Sequence, residues 1–301
     1  MLKVLLALGR STAFVRPGQT IVRFGQTIGG RRPVSLQDDS RKNASLIIVE
    51  IGNSHITVAS AIKGSIRTAE RFGIEALDPA ADHARQVWEA LPAELARAAV
   101  AASVVPKVLD WAKGRLSELL GTSLLVVGEE LHRPMNLAVE APESVGIDRV
   151  CCAAAAYERI HQACAVASFG TAITIDCVND AGVFMGGAIL PGLAMQARGL
   201  HEGTAVLPEV RLEQTGAVFG TNTDQAIKNG IIYGAVGALR EISERYAADL
   251  GRWPQLVVTG GNAELISRHC DFIDNVVPDL CVRGIALAYR KHFSPFEDGS
   301  P

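Results

Sequence analysis

Two segments of this chain, about 118 residues apart, follow the same pattern. Each consists of an apolar stretch, a glycine followed by small polar residues, and a second apolar stretch: residues 46–59 around Gly52 and residues 163–176 around Gly170. Because glycine has no Cβ, the backbone can approach a phosphate closely at such a turn, with N–H groups directed toward it. Two facing copies would clamp one polyphosphate between two domains. The alternative is a pair of ordinary hairpins, because a single glycine-rich turn is a weak motif.

The composition is that of a globular chain and excludes two classes of function. At 301 residues the chain is long enough for two domains, and 48% of its residues are hydrophobic. The net charge is −3, and Lys and Arg do not occur in runs in the body of the chain. The sequence therefore does not indicate the positively charged surface that binding to nucleic acid or to a membrane requires. The cysteines form no Cys-x-x-Cys pair, so we expect reduced core residues of a cytoplasmic protein and no zinc site. They are Cys151, Cys152, Cys164, Cys177, Cys270 and Cys281.

Residues 1–44 form a basic extension that differs from the remainder of the chain. Up to Gln37 this segment contains six Lys or Arg residues and no acid, and glycines interrupt any periodicity. The apolar run from Val4 to Leu8 is too short for a signal peptide or a membrane span. We expect a disordered extension or a start codon assigned too far upstream; the alternatives are a targeting peptide and a nucleic-acid arm.

The rest of the sequence alternates strand and helix patterns in two similar halves. Each half begins with three strands expected to be antiparallel and continues with helix-linked parallel strands. This is the plan of the duplicated ribonuclease-H-like (actin-like ATPase) fold, an α/β fold with two similar domains and a cleft between them. We assign the two domains to residues 45–147 and 148–301. A third glycine turn, Gly260-Gly261, stands at the position where that fold group binds adenosine. A long helix is predicted from Thr223 to Leu250, with glycines at 230, 234 and 237 spaced for close packing against another backbone.

An ordered set of motifs resembles one kinase family. The run Gly146-Ile147-Asp148-Arg149 resembles the Gly-x-Asp-Arg motif of type III pantothenate kinases, and residues 168–176 and 186–192 resemble the glycine-rich motifs that follow it in that family. Further similar segments are residues 205–208, 219–223 and 258–261. The resemblance implies ATP-dependent phosphorylation of pantothenate to 4'-phosphopantothenate, the first step of coenzyme A biosynthesis. It also implies ATP with Mg²⁺, a monovalent cation (K⁺ or NH₄⁺) and a homodimer.

Phosphoryl transfer to an alcohol suggests roles for these residues. The reaction needs a base near the hydroxyl and a positive group for the developing charge, and Asp148 and Arg149 are the candidates. Alternatively, Asp148 only caps a helix that begins near Arg149. By the resemblance, Thr223 contacts pantothenate, with a plain N-cap role as the alternative. The predicted ATP-binding residues are Glu50, Ile51, Gly52, Asn53, Ser54, Thr57, Gly170 and Thr171; the predicted substrate-binding residues are Gly146, Ile147, Asp148, Arg149 and Thr223; and Glu50 is the predicted metal ligand.

Three positions differ from the family pattern. The Asp that usually opens the first turn is Glu50, the Asp of the second turn is Ser168, and a tyrosine nine residues before the catalytic Asp is Val139. Because these positions bear on cation, phosphate and substrate binding, they define an alternative hypothesis: a catalytically weak paralogue that binds a nucleotide or another ligand as a regulatory protein. A different small-molecule kinase of the same fold is a third hypothesis. Asp176 lies in the adjoining strand, where its side chain need not face the cleft.

Overall fold

The structure, a computed structural model, describes residues 41, 43–213 and 218–294. The prediction for the N-terminal extension therefore lies almost wholly outside the described residues. Two five-stranded sheets form the framework, and their strands follow the same spatial order. In each sheet a three-stranded antiparallel meander is extended by two parallel strands. The predicted duplication is thus confirmed as a repeated sheet topology.

The first sheet is built on the repeat around Gly52. Its strands are β1 (Ser45–Ile51), β2 (His55–Ile62), β3 (Ser65–Gly73), β4 (Arg97–Ser103) and β5 (Leu124–Val126), in the spatial order β3-β2-β1-β4-β5. Strands β1 and β4 are apolar along nearly their whole length because core clusters lie on both faces of this part of the sheet. Strand β3 lies at the edge and is largely exposed, which agrees with its polar sequence.

The second sheet is built on the repeat around Gly170. Its strands are β6 (Cys164–Phe169), β7 (Ala172–Val178), β8 (Phe184–Pro191), β9 (Gln255–Thr259) and β10 (Asn275–Val276), in the spatial order β10-β9-β6-β7-β8. The connection between β6 and β7 is residues 170–171, one residue shorter than the connection 52–54 in the first sheet. This difference accounts for the one-residue offset between Thr57 and Thr174. Strand β10 is not predicted by the sequence, because two residues carry no periodicity.

Helices cover the outer faces of both sheets and fill the layer between them. They are α1 (Leu77–Ala90), α2 (Pro106–Leu120), α3 (Ile147–Ile160), α4 (Leu193–Glu202), α5 (Thr223–Leu250), α6 (Ala263–Ser267) and α7 (Leu280–Phe293), with a 3₁₀ turn at Pro142–Ser144. Helices α1 and α2 pack on the first sheet, and α4, α5 and α6 pack on the second. Helices α3 and α7 share one core cluster with residues of both sheets. The division of the chain into domains at residue 147 stays a prediction, because this central layer belongs to both halves.

The two central helices cross at very close range. A Cβ at Gly284 in α7 would lie 2.0 Å from the carbonyl oxygen of Cys151 in α3, so a glycine is needed at the crossing. Both helices contribute side chains to the space between the sheets, among them Asp148 from α3 and Cys281 from α7. None of the helices in the described part of the chain is both long and apolar enough to cross a membrane.

Helix α5 has the predicted bounds, but its glycines do not make the predicted contact. A Cβ at Gly230, Gly234 or Gly237 would meet no other part of the described chain within 4 Å. The expected close packing of these glycines against another backbone is therefore wrong within this chain. The apolar side of the helix, which includes Ile231 and Leu239, packs onto the second sheet instead and leaves the glycines exposed.

Candidate active site

A cleft with an open space of about 470 Å³ lies between the two sheets. Its charged lining residues are Glu50 and Arg71 from the first sheet, Asp148 and Arg149 from α3, and Asp176 from the second sheet. The other lining residues are Cys152, Val166, Ser168, Thr174, Thr259, Gly260, Pro278 and Cys281. The fold thus brings three of the predicted site residues, Glu50, Asp148 and Arg149, to one cavity.

Cross-strand pairing explains which side chains of the first sheet face the cleft. Glu50 in β1 pairs with Thr57 in β2, and Thr57 pairs with Arg71 in β3. Directly paired residues share a face of a sheet, so these three side chains stand in one row. Ser168 and Thr174 form the equivalent pair in the second sheet and also line the cleft. The two repeats therefore present equivalent rows to the same space.

The two glycine turns that are predicted to bind ATP phosphates contact each other. The hydroxyls of Ser54 and Thr171 lie 2.7 Å apart, within hydrogen-bond distance. The N–H of Gly52 donates to the His55 carbonyl at 2.9 Å, and the N–H of Gly170 donates to the Ala172 carbonyl at 3.1 Å. Because both glycine N–H groups close their own hairpins, any N–H groups that bind a phosphate belong to other turn residues.

The remaining predicted ATP contacts occupy different environments. Asn53 is exposed at the first turn, whereas Ile51 is a core residue with 2% of its surface exposed. A hydrogen bond that the Thr57 hydroxyl donates to the Glu50 carboxylate acts to lower the pKa of Glu50. The third glycine turn lies against the end of β6: Gly260 has φ +93°, and a Cβ there would lie 2.6 Å from the carbonyl oxygen of Phe169.

Asp148 lies in the first turn of α3 and is half-buried. The helix begins at Ile147 with Gly146 as its N-cap, so the alternative that Asp148 is the N-cap is wrong. Its Oδ1 nevertheless accepts a hydrogen bond of 2.9 Å from the N–H of Arg149, a donor that it shares with the Gly146 carbonyl at 3.1 Å. Burial raises the pKa of Asp148, although this hydrogen bond and the charge of Arg149 oppose the rise.

Asp176 faces the cleft, a point that its place in the adjoining strand leaves open, and it holds Arg149. The Arg149 Nε lies 3.1 Å from Oδ1 and 3.2 Å from Oδ2 of Asp176, and Nη2 lies 2.5 Å from Oδ1. Asp176 is only 2% exposed, and Gly187 on β8 makes room for it, because a Cβ there would lie 2.3 Å from Asp176 Oδ1. The Phe184 ring lies 5.7 Å from the guanidinium carbon. Burial raises the pKa of Asp176, opposed by its hydrogen bonds with Arg149.

Glu50 stands at the end of β1 and faces the cleft. Burial raises its pKa, and a hydrogen bond with the Cys281 thiol and the charge of Arg71 act against that rise. The neighbouring Asp148 charge raises the pKa further. Glu50 therefore supplies a partly desolvated carboxylate, an oxygen donor of the kind that Mg²⁺ prefers.

Nine predicted site residues lie outside the cleft lining: Ile51, Gly52, Asn53, Ser54, Thr57, Gly146, Ile147, Gly170 and Thr171. Thr223 is the tenth. It is the exposed first residue of α5 and is not among the described residues that line the cleft. The alternative N-cap role for Thr223 is wrong, because Asn222 is the N-cap and its Oδ1 accepts a hydrogen bond of 2.9 Å from the Gln225 N–H. Val139 packs at the edge of the central core, near Gly186.

Sequence reasoning missed Arg71 and did not place Asp176. Thr174 and Asp176 are two residues apart and therefore share a face of β7, a period-two signal that was present in the sequence. Nothing local indicates Arg71, which is one of several charged residues on a polar edge strand. Its relation to the cleft depends on pairing with Thr57, a contact between different parts of the chain.

The repeated sheet topology and the shared helical layer define the duplicated ribonuclease-H-like fold of the actin-like ATPases. A structure of a conserved protein described as a Baf family transcriptional activator from Campylobacter jejuni matches 81% of this chain and 98% of its own, with a TM-score of 0.54 and 18% identity. At that identity the likeness supports the fold alone.

The family model described as type III pantothenate kinase matches residues 46–245, and the chain belongs to the type III pantothenate kinase family. A type III pantothenate kinase from Dehalococcoides mccartyi is 31% identical over 251 residues, which cover 81% of this chain and 97% of the relative. One from Agathobacter rectalis is 33% identical over 194 residues, which cover 64% of this chain and 75% of the relative. The family resemblance of the sequence motifs is thereby confirmed, and the chain is a member of a kinase family.

Proposed function

We propose that this protein transfers the γ-phosphoryl group of ATP to the hydroxyl of pantothenate, giving 4'-phosphopantothenate and ADP, as the first step of coenzyme A biosynthesis. The observation that carries the proposal is the pair Asp148-Arg149 at the start of α3, beside Glu50 in the cleft between the two sheets. Family membership supports the choice of pantothenate.

In the proposed reaction each group has one task. The pantothenate hydroxyl oxygen forms a bond to the γ-phosphorus, the bond from that phosphorus to the ADP oxygen breaks, and the hydroxyl proton passes to the Asp148 carboxylate. A raised pKa makes Asp148 a better base at neutral pH than an ordinary aspartate. Arg149 is held in place by Asp176 and stabilises negative charge on the transferred group. Turn residues 53, 54 and 171 are proposed to bind the nucleotide phosphates.

Glu50 fits the role of a protein ligand for nucleotide-bound Mg²⁺. In the described residues no group of three or more His, Cys, Asp or Glu side chains is placed to hold a metal ion alone. Mg²⁺ commonly binds through one or two carboxylates together with substrate phosphates, and the Glu50 carboxylate in the cleft suits that mode. When bound, Mg²⁺ neutralises charge on the phosphates.

The test of the proposed function is a coupled ADP-release assay on the full-length protein with and without pantothenate. We expect ADP release that depends on pantothenate, and a phosphorylated pantothenate product detected by mass spectrometry. Nucleotide binding without pantothenate-dependent turnover would favour the alternative, a catalytically weak paralogue that acts as a ligand-binding regulatory protein. Turnover with another alcohol in place of pantothenate would favour a different small-molecule kinase.

We predict that Ser168→Asp strengthens ATP binding in the presence of K⁺ or NH₄⁺. Ser168 lines the cleft opposite Thr174, and a carboxylate there would attract a cation in a partly desolvated space. Calorimetry should show several-fold tighter ATP binding in K⁺ buffer than in tetramethylammonium buffer, about 1 kcal/mol. Ser168→Asn is the uncharged control of matched size. An unchanged or weaker affinity with every cation would contradict the expected monovalent-cation site.

We further propose a homodimer in the cytoplasm. The exposed glycine face of α5 and the nearby side chains of Val218 and Phe219, 74% and 82% exposed, offer an unpaired surface at which a second copy can pack. Five of the six cysteines are buried and all are free, which suits a reducing compartment. Light scattering should give twice the mass of one chain, and Gly234→Arg should give a monomer. A monomeric wild type at micromolar concentration would contradict this proposal.

A further inference from the structure

Arg71 connects the first sheet to the third glycine turn across the cleft. It stands on β3 beside Thr57, in the row that begins with Glu50. Its Nη1 lies 3.4 Å from the position that a Cβ on Gly261 would occupy, so the guanidinium reaches the turn that follows β9 in the second sheet. The Arg71 side chain therefore lies in the cleft, close to residues of both sheets. The residue is nevertheless exposed, because its strand lies at the edge of the first sheet.

The charges of the cleft leave Arg71 available for a ligand. Three carboxylates, Glu50, Asp148 and Asp176, and two guanidinium groups, Arg71 and Arg149, line the cavity. Asp176 engages Arg149 through both carboxylate oxygens. None of the ion pairs among the described residues includes Arg71, whose charge acts on Glu50 without a hydrogen bond between them. A polyphosphate entering this cleft meets net negative charge unless a cation such as Arg71 contacts it.

The repeat within the chain indicates that Arg71 is not required by the fold. The equivalent row in the second sheet is Ser168, Thr174 and Ile189, so the position that holds Arg71 in one repeat holds an apolar residue in the other. Ile189 is 64% exposed, which shows that this edge position does not need to be filled by a buried or charged side chain. Of these two equivalent edge positions, only one carries a guanidinium, so the fold itself does not require it. A ligand that binds at one position of the cleft would require a positive charge from only one of the two repeats.

We propose that Arg71 is a nucleotide-binding residue that contacts the polyphosphate of a nucleoside di- or triphosphate and links the two sheets through it. The inference rests on the proposed function only in placing a nucleotide in this cleft. Arginine suits the role because its planar group donates two parallel hydrogen bonds to phosphate oxygens, whereas lysine acts as a point charge. Arg71 thereby supplies from the first sheet a second positive charge for the nucleotide, in addition to that of Arg149, which is partly neutralised by Asp176.

The test compares nucleotide affinities of full-length variants by calorimetry with Mg²⁺ and without pantothenate. The variants are Arg71→Gln, Arg71→Lys and the matched control Arg67→Gln, which removes the same charge from an exposed residue of the same strand outside the cleft lining. We expect Arg71→Gln to weaken ATP and ADP binding about tenfold or more, the usual size of a charge-assisted hydrogen bond, and to leave AMP binding within about twofold. Arg71→Lys should weaken ATP binding by less, and Arg67→Gln by less than twofold.

Two outcomes would overturn the inference. The first is that Arg71→Gln binds ATP with the same affinity as Arg67→Gln. The second is that Arg71→Gln loses equal affinity for AMP and for ATP, which would mean that Arg71 does not act on the polyphosphate. Failure of the proposed function is seen separately, as the absence of pantothenate-dependent ADP release by the wild type. A wild type that binds ATP without turnover, with Arg71→Gln tenfold weaker, would support Arg71 as a nucleotide ligand and refute the kinase activity.

Discussion

Asp148→Asn is expected to lower the turnover rate by about 10²-fold or more, the usual size of a general-base contribution. The variant cannot take the hydroxyl proton, but its amide oxygen can still accept the hydrogen bond from the Arg149 N–H that the wild-type carboxylate accepts. ATP affinity should therefore change little. Steady-state kinetics with pantothenate, together with calorimetry for ATP, measure both quantities.

The pH dependence supplies an independent readout for Asp148. Burial raises its pKa, so the wild-type rate should fall with decreasing pH at a higher pH than for an ordinary aspartate, and the variant should lack this limb. A carboxyl whose pKa is raised on folding contributes stability at low pH that is lost as pH rises through the folded-state pKa. At neutral pH the Asp148 carboxylate no longer adds this stability, so Asp148→Asn should have an unchanged or slightly higher melting temperature. If Asp148→Asn kept the turnover rate of the wild type but had a lower melting temperature, Asp148 would serve only to stabilise the helix.

Asp176→Asn is expected to lower the free energy of unfolding by about 3 kcal/mol, because it leaves the Arg149 guanidinium partly buried without its counter-charge. The side chains of Arg149 and Asp176 are 15% and 2% exposed. The variant should also lower the turnover rate, since Arg149 is no longer fixed by two carboxylate oxygens. Urea unfolding and steady-state kinetics measure the two effects.

A surface ion pair provides the control for Asp176. Asp271 lies 3.1 Å from Arg240, with side chains 90% and 49% exposed, and Asp271→Asn should cost less than about 1 kcal/mol. Because the desolvation of two buried charges offsets much of their attraction, Asp176→Leu combined with Arg149→Met should recover part of the lost stability. Equal costs for Asp176→Asn and Asp271→Asn would contradict the assigned role.

Local patterns predicted much of the framework. The matched segments around Gly52 and Gly170 predicted two similar meanders, and the structure has the same strand order in both sheets. Helix α5 begins and ends at the predicted residues, because Asn222 caps one end and Gly251, in the left-handed region at φ +72°, ends the other. Capping and turn chemistry act over a few residues, so they can be recognised without knowledge of the fold. Glu50, Asp148 and Arg149 were chosen on motifs of this local kind.

The positions of Asp176 and Arg71 were decided by the tertiary structure. Thr174 and Asp176 alternate with Ile173 and Ile175 along β7, so the sequence places the two polar residues on one face, but only the packing of α3 against the sheet brings Arg149 to that face. Arg71 reaches the cavity because β3 pairs with β2 in a particular register and because the third glycine turn approaches from the other sheet. The sequence alone determined the repeated strands, the turns and the motif of residues 146–149, since these depend on neighbouring residues. Which charges share the cleft depends on pairing and packing between distant segments, and those contacts exist only in the folded chain.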